Sequence, residues 1–234
     1  MLKSVLRSHQ LKLALKALVF AGCLVLVKFS GFGLLPAIFF LIIASILYIR
    51  PIFQTFHYLP PFLILLVTGL LWINYLPSKY AILGILALTV LFYILLGVKN
   101  LVLIDRIWAN WLLHLGLIYL IVLVFFLLSP DQWFLLKLLG LFFALTFLLE
   151  GIVKGRRIWS IVPAFLLTEA AVGIRLLPIG FLQATNAMFI VVWSLTSLVL
   201  KYRQKNLTRR EVLKNLTLSG ILLLIIFITS RWKI

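Results

Sequence analysis

One carboxylate lies deep inside an apolar stretch of this sequence. Glu169 falls within the segment Ile158–Pro178, ten residues after Trp159. If that segment is a membrane-spanning helix, a rise of about 1.5 Å per residue places the carboxyl group about 15 Å from the interface, near the bilayer centre. A charged group at that depth is costly, so Glu169 must be protonated, paired across helices or exposed to a wet cavity. Its chemistry is either proton or cation handling, or a structural hydrogen bond between helices.

His114 and Asn110 form a second polar candidate within an apolar run. Their spacing of four residues places both side chains on one face of a helix. A histidine there either titrates near neutral pH or fills a packing position with its ring nitrogens hydrogen-bonded. Arg175 lies six residues after Glu169, a rotation of about 240° that puts the two side chains on different faces. His114 is therefore the first partner to test for Glu169.

Four polar residues flank the predicted turn at Pro178–Gly180, and together they could line a pocket at the outer face. They are Arg175, Gln183, Thr185 and Asn186. Such a pocket could hold an anionic head group, or the same residues could satisfy helix ends near the interface. We expect the Arg175 side chain to extend toward the outer head groups.

The sequence contains no catalytic signature. It has no pair of acids in one link, no His/Glu cluster at zinc spacing, no glycine-rich phosphate loop and no serine elbow. The single cysteine, Cys23, excludes an internal disulfide and a multi-thiolate metal site. Phe20–Cys23 is similar to a lipoprotein cleavage box, but the residues after Cys23 stay apolar, which favours an uncleaved first helix. We predict no catalytic residue, metal ligand or cofactor, and an enzymatic activity is disfavoured.

The elements that must position these residues follow from composition. Of 234 residues, 65% are hydrophobic and 12% are charged, whereas a soluble domain has about a quarter charged. The apolar residues occur in runs of about 17–23, enough for a helix to cross a hydrocarbon core of about 30 Å. We predict an all-α, polytopic transmembrane helix bundle of about nine spans. The predicted spans are 17–29, 34–49, 61–76, 80–98, 107–128, 133–150, 158–178, 181–200 and 209–230, the last entering the membrane near 216.

Basic residues predict the topology. The formal net charge is +17, from 22 Lys and Arg residues against 5 acids. With the N-terminus inside and the C-terminus outside, far more basic residues fall on the cytoplasmic side, as the positive-inside rule requires. The cytoplasmic set is Lys3, Arg7, Lys12, Lys16, Arg50, Lys99, Arg106, Lys154, Arg156, Arg157, Lys201, Arg203, Lys205, Arg209, Arg210 and Lys214; the outer set is Lys28, Lys79, Arg175, Arg231 and Lys233.

The same charges predict the partners and the place in the cell. Residues 1–16 are predicted to form a basic amphipathic lead-in on the cytoplasmic face, followed by a single transmembrane domain over 17–234. Anionic lipid head groups at that face are the expected partners. Nucleic acid is not expected, because no Arg-rich soluble domain is present. The protein is predicted to be multi-pass in the cell membrane, most simply a prokaryotic inner membrane.

Three further patterns bear on helix arrangement. Arg106-Ile107-Trp108 and Arg157-Ile158-Trp159 are 51 residues apart, which indicates tandem helical hairpins, although two spans with short links produce that period without duplication. The small-residue ridge Ser160, Ala164 and Thr168 predicts close approach of another helix to the seventh span and burial of that span in the bundle. Thr208 and Glu211 have the spacing of a capping box at the start of the ninth helix.

These observations leave three functional hypotheses. The first is a small translocation or membrane-assembly component with Glu169 at its polar centre. The second is a membrane-embedded enzyme that acts on a lipid-linked substrate held by Arg175, Gln183 and Asn186. The third is a structural membrane subunit whose polar residues only hold helices together.

Overall fold

The computed structural model describes residues 2–50, 55–100, 106–128, 133–153 and 157–230 of the chain. These ranges contain nine α-helices and no strand, so the predicted all-α fold is confirmed. The helices are α1 Leu2–Phe29, α2 Leu34–Ile49, α3 Leu59–Tyr75, α4 Ser78–Lys99, α5 Arg106–Leu127, α6 Phe134–Val153, α7 Ile158–Arg175, α8 Phe181–Arg203 and α9 Arg209–Thr229. Asp105 and Asp131 lie outside the described residues.

Seven of these helices are long and apolar enough to cross a membrane; the other two, α2 and α3, have 16 and 17 residues. At about 1.5 Å per residue the two shorter helices measure about 24–26 Å, slightly less than the hydrocarbon core of about 30 Å. They remain apolar over their whole length, because they carry no charged residue. The chain is therefore a multi-pass membrane protein.

Local sequence explains where the helices begin and end. Arg50 has extended backbone angles (φ −90°, ψ 122°) directly after α2, as a residue before a proline prefers. At the start of α9, the backbone N–H of Glu211 donates to the Thr208 hydroxyl at 3.3 Å, so the predicted cap at Thr208 is confirmed. By contrast, α1 continues without a break through residue 16, where the sequence suggests a separate lead-in. No proline or glycine interrupts residues 2–21 of that helix.

The chain divides into two compact units, Met1–Leu117 and Ile118–Ile234, with α5 running through the boundary. In the first unit α1 packs against α2 and α4, and α3 packs against α4. Aromatic rings fill the contacts between these helices. Phe20 of α1 stacks on Phe92 of α4 with ring centroids 4.2 Å apart, and Tyr48 of α2 stacks on Phe62 of α3 at 4.0 Å.

In the second unit each of α6, α7 and α8 packs against the next helix along the chain. The ridge of Ser160, Ala164 and Thr168 on α7 is buried, as expected for a small-residue packing face. Asn215 of α9 donates to the Ser194 carbonyl of α8 at 3.0 Å. Most of the remaining surface of α9 is exposed.

Candidate functional site

Four basic side chains reach the carbonyl ends of neighbouring helices. They are Lys16, Lys28, Lys99 and Arg175. The last carbonyls of a helix lack an intrahelical hydrogen-bond donor and carry the negative end of the helix dipole. A cation placed there supplies the missing donors and interacts favourably with the dipole. From the sequence, Lys16, Lys28 and Lys99 have a role in topology only, and Arg175 is also a pocket candidate. The structure gives each of the four a specific hydrogen-bonding partner.

Lys99 is the most deeply placed of the four, with a fully buried side chain at the end of α4. Its ammonium group donates to the Tyr48 carbonyl and, at 3.5 Å, to the Ile49 carbonyl at the end of α2. The same ammonium lies 4.2 Å from the centroid of the Tyr48 ring. The Lys99 ammonium thus contacts two carbonyls and one aromatic ring. The Tyr48 hydroxyl donates to the Thr55 carbonyl at 2.5 Å, which holds the ring in place.

Lys16 of α1 also contacts the end of α2 that Lys99 of α4 contacts. Its half-buried side chain donates to the Leu47 carbonyl at 3.2 Å and to the Arg50 carbonyl. The exposed guanidinium of Arg50 makes no hydrogen bond to another described residue. Lys12, one turn before Lys16 on the same face of α1, is also exposed. The ammonium groups of Lys16 and Lys99 and the Arg50 residue therefore lie at a single helix C-terminus, that of α2.

The other two cations cap helix ends in the same way. Lys28 donates to the Ile73 carbonyl of α3 at 2.9 Å and to the carbonyl of the cap residue Leu76 at 2.6 Å. Arg175 donates to the Phe125 carbonyl at 3.1 Å and to the Leu128 carbonyl, both at the end of α5.

The guanidinium of Arg175 also lies over aromatic rings, 5.1 Å from the centroid of Phe125 and 5.4 Å from that of Phe134. The Arg175 side chain thus contacts the end of α5 and the aromatic rings beside it. Its extension toward the outer head groups stays a prediction.

The other residues of the predicted outer-face pocket are engaged at separate places. The Thr185 hydroxyl donates to the Phe181 carbonyl at 2.7 Å within α8. The Asn186 amide oxygen accepts a hydrogen bond from the Tyr119 hydroxyl of α5 at 3.0 Å. Gln183 folds back over Gly180, whose added Cβ would lie 2.5 Å from the Gln183 amide oxygen. Each of the three residues therefore has a contact at a helix end or between helices. The outer-face pocket stays a prediction.

His114 is buried, with its Nδ1 2.7 Å from the Asn110 carbonyl one turn earlier. Nδ1 donates that hydrogen bond, since a carbonyl oxygen can only accept. Asn110 and His114 belong to the first unit, whereas Glu169 belongs to the second. The pairing of His114 with Glu169 stays a prediction.

Glu169 is exposed on α7. The surrounding exposed residues of the helix are apolar and form a stripe with it: Ile161, Val162, Phe165 and Leu166. We name this stripe, together with Glu169, the α7 face. Among the described residues, none donates a hydrogen bond to the Glu169 carboxylate or forms an ion pair with it.

This exposure differs from the expectation that burial of the seventh span would also bury Glu169. The buried ridge includes Thr168, and each further residue turns the side chain by about 100° around the helix axis. Glu169, one residue after the buried Thr168, therefore lies outside the packed side of α7.

Nothing in the described ranges suggests metal chemistry: no group of three or more His, Cys, Asp or Glu residues there could hold a metal ion. The chain matches no family model, no curated protein and no solved structure.

Proposed function

We propose that this multi-pass protein is a membrane-assembly component whose α7 face binds a transmembrane helix of a partner protein. The partner helix carries a lysine or arginine at the depth of Glu169. The observation that carries the proposal is the exposed Glu169 carboxylate within a stripe of apolar side chains.

The depth of Glu169 supports this proposal. It lies eleven residues after the start of α7 and six before its end, which corresponds to about 16 Å and 9 Å of helix. An unpaired acid near the centre of a bilayer costs about 2.5–3.5 kcal/mol on insertion scales. A cation on a partner helix offsets that cost, and it does so only when the two helices are in contact.

The apolar part of the α7 face supports assembly over translocation. A translocation path needs polar groups or water along its length, whereas the exposed neighbours of Glu169 on α7 are Val162, Phe165 and Leu166. Such side chains suit either lipid or another apolar helix. The distribution of basic residues supports an N-terminus in the cytoplasm. The proposal places the protein in the cell membrane of a prokaryote.

The test uses a defined probe in place of an unknown partner. The full-length protein is reconstituted in lipid nanodiscs with a labelled polyleucine transmembrane peptide that carries one central lysine. Energy transfer between protein and peptide measures association in the bilayer. We expect Glu169→Leu and Glu169→Gln to weaken association about tenfold, equivalent to about 1.4 kcal/mol. A peptide with leucine at the centre should associate weakly with every variant.

Glu150→Gln is the matched control. Glu150 is near the end of α6, 3.9 Å from Arg157, so its replacement removes one acid without touching the α7 face. This variant should bind the lysine peptide as the wild type does. Equal binding of the lysine peptide to wild type and Glu169→Leu would contradict the proposal. Energy transfer between two labelled copies of the chain, lost in Glu169→Leu, would identify self-association instead.

A further inference from the structure

The end of α2 carries more positive charge than its own carbonyls require. A helix C-terminus is equivalent to about half a negative charge, yet Lys16 and Lys99 both donate to its carbonyls. Arg50 adds a third cation at the cap position. The described residues of the first unit contain no acid, and Asp105 is the only acid in the whole sequence of that unit.

The two lysines change what this helix end can bind. A bare helix C-terminus repels anions because its carbonyls carry the negative end of the dipole. Lys99 covers the Tyr48 and Ile49 carbonyls from the protein side, and Lys16 covers those of Leu47 and Arg50. The surface above them is therefore positive.

Lys16 and Arg50 keep hydrogen-bond donors that no described carbonyl accepts. Lys16 donates two of its three ammonium N–H groups to carbonyls, so one N–H group has no carbonyl acceptor. The guanidinium of Arg50 is exposed and makes no hydrogen bond to a described residue, so its planar fork of donors is available. Lys12 lies one turn away on the same side of α1 and is exposed. Arg50 and Lys16 form the rim of this site, and Lys99 forms its buried floor.

We infer that this site, named here the α2-end site, binds a phosphate group, and that the phosphate belongs to an anionic lipid. A guanidinium fork and an ammonium are the donors that hold phosphate oxygens in proteins. The end of an apolar helix is at the depth of lipid head groups, where anionic phospholipid is the abundant phosphate. The site belongs to the first unit and the α7 face to the second, so either proposal can fail without the other.

Lipid binding to the purified full-length protein in neutral detergent tests this inference. Bound lipid is counted by native mass spectrometry during titration with phosphatidylglycerol or phosphatidylcholine, and inorganic phosphate is added in a separate arm. We expect phosphatidylglycerol to bind at least tenfold more tightly than phosphatidylcholine. Arg50→Gln and Lys16→Gln should each weaken phosphatidylglycerol binding about fivefold to tenfold, the range for losing one cation near an anionic group.

Arg203→Gln is the matched control, because Arg203 is an exposed cation in the last turn of α8, in the other unit. It should change phosphatidylglycerol binding less than twofold. Equal weakening by Arg203→Gln and Arg50→Gln would overturn the site, because it would show diffuse surface charge only. Binding of inorganic phosphate without binding of phosphatidylglycerol would overturn the lipid assignment. Arg50 is exposed, so its variant tests the site without disturbing the packing around Lys99.

Discussion

Replacing Lys99 by methionine tests whether a buried cation holds the end of α2. Methionine is a similarly long, unbranched side chain, so the substitution removes charge and hydrogen bonds without opening a large cavity. It leaves the Tyr48 carbonyl without its donor in a buried place, which costs about 1–3 kcal/mol. Loss of the ammonium from the Tyr48 ring costs about 1 kcal/mol more.

One effect acts in the opposite direction. The wild-type protein holds an ammonium group away from water, and methionine removes that desolvation cost. We therefore expect a net destabilisation of about 2–3 kcal/mol in Lys99→Met. The assay is equilibrium unfolding in mixed micelles, combined with hydrogen exchange of the last turn of α2. Exchange there should accelerate more than exchange in the middle of α2.

Lys28→Met provides the comparison. Lys28 makes the same kind of contact with the Ile73 and Leu76 carbonyls, but its side chain is only half-buried, so water can replace the lost donor. Its expected cost is about 1 kcal/mol. If Lys99→Met is as stable as the wild type, or if Lys28→Met is the more damaging of the two, the reasoning from burial and capping is wrong.

Three smaller perturbations test individual contacts. Thr208→Ala removes the cap of α9 and should cost about 1 kcal/mol, with faster hydrogen exchange confined to the first turn of that helix. Tyr119→Phe deletes the hydrogen bond to Asn186 and should lower the free energy of unfolding by about 1 kcal/mol. A loss below about 0.3 kcal/mol would show that water replaces this hydrogen bond. Gly116→Ala places a Cβ 2.6 Å from the Leu91 Cδ2 atom, so we expect a loss of about 1 kcal/mol in thermal unfolding, and added stability would show that the leucine moves aside freely.

The helices themselves could be predicted closely. The predicted bounds of the second span agree with α2 at both ends, and the spacing of Thr208 to Glu211 predicts the cap that the structure shows. These features depend on local chemistry: apolar runs must be helical in lipid, prolines end them, and a side-chain oxygen caps the first turn. The buried ridge of α7 was likewise visible as small residues at every fourth position.

The partners of the cations could not be predicted. A lysine at the end of an apolar run satisfies the positive-inside rule whatever it contacts, so its sequence position does not distinguish Lys99, which is buried, from Lys12, which is exposed. The same applies to Thr185 and Asn186. Both are polar residues of the kind that can line a pocket. The bond of Thr185 to Phe181 depends on the side-chain rotamer within α8, and the bond of Asn186 to Tyr119 depends on the distance between α8 and α5.

The sequence alone therefore determined the membrane-spanning character, the all-α class and the approximate positions of the apolar helices, because these follow from hydropathy and from contacts within a few residues. Only the tertiary structure decided which cations cap the end of α2 and that Glu169 lies on the exposed side of α7. The physical reason is that a helix presents its side chains all around its axis. Which side faces protein depends on helices that are distant in the chain.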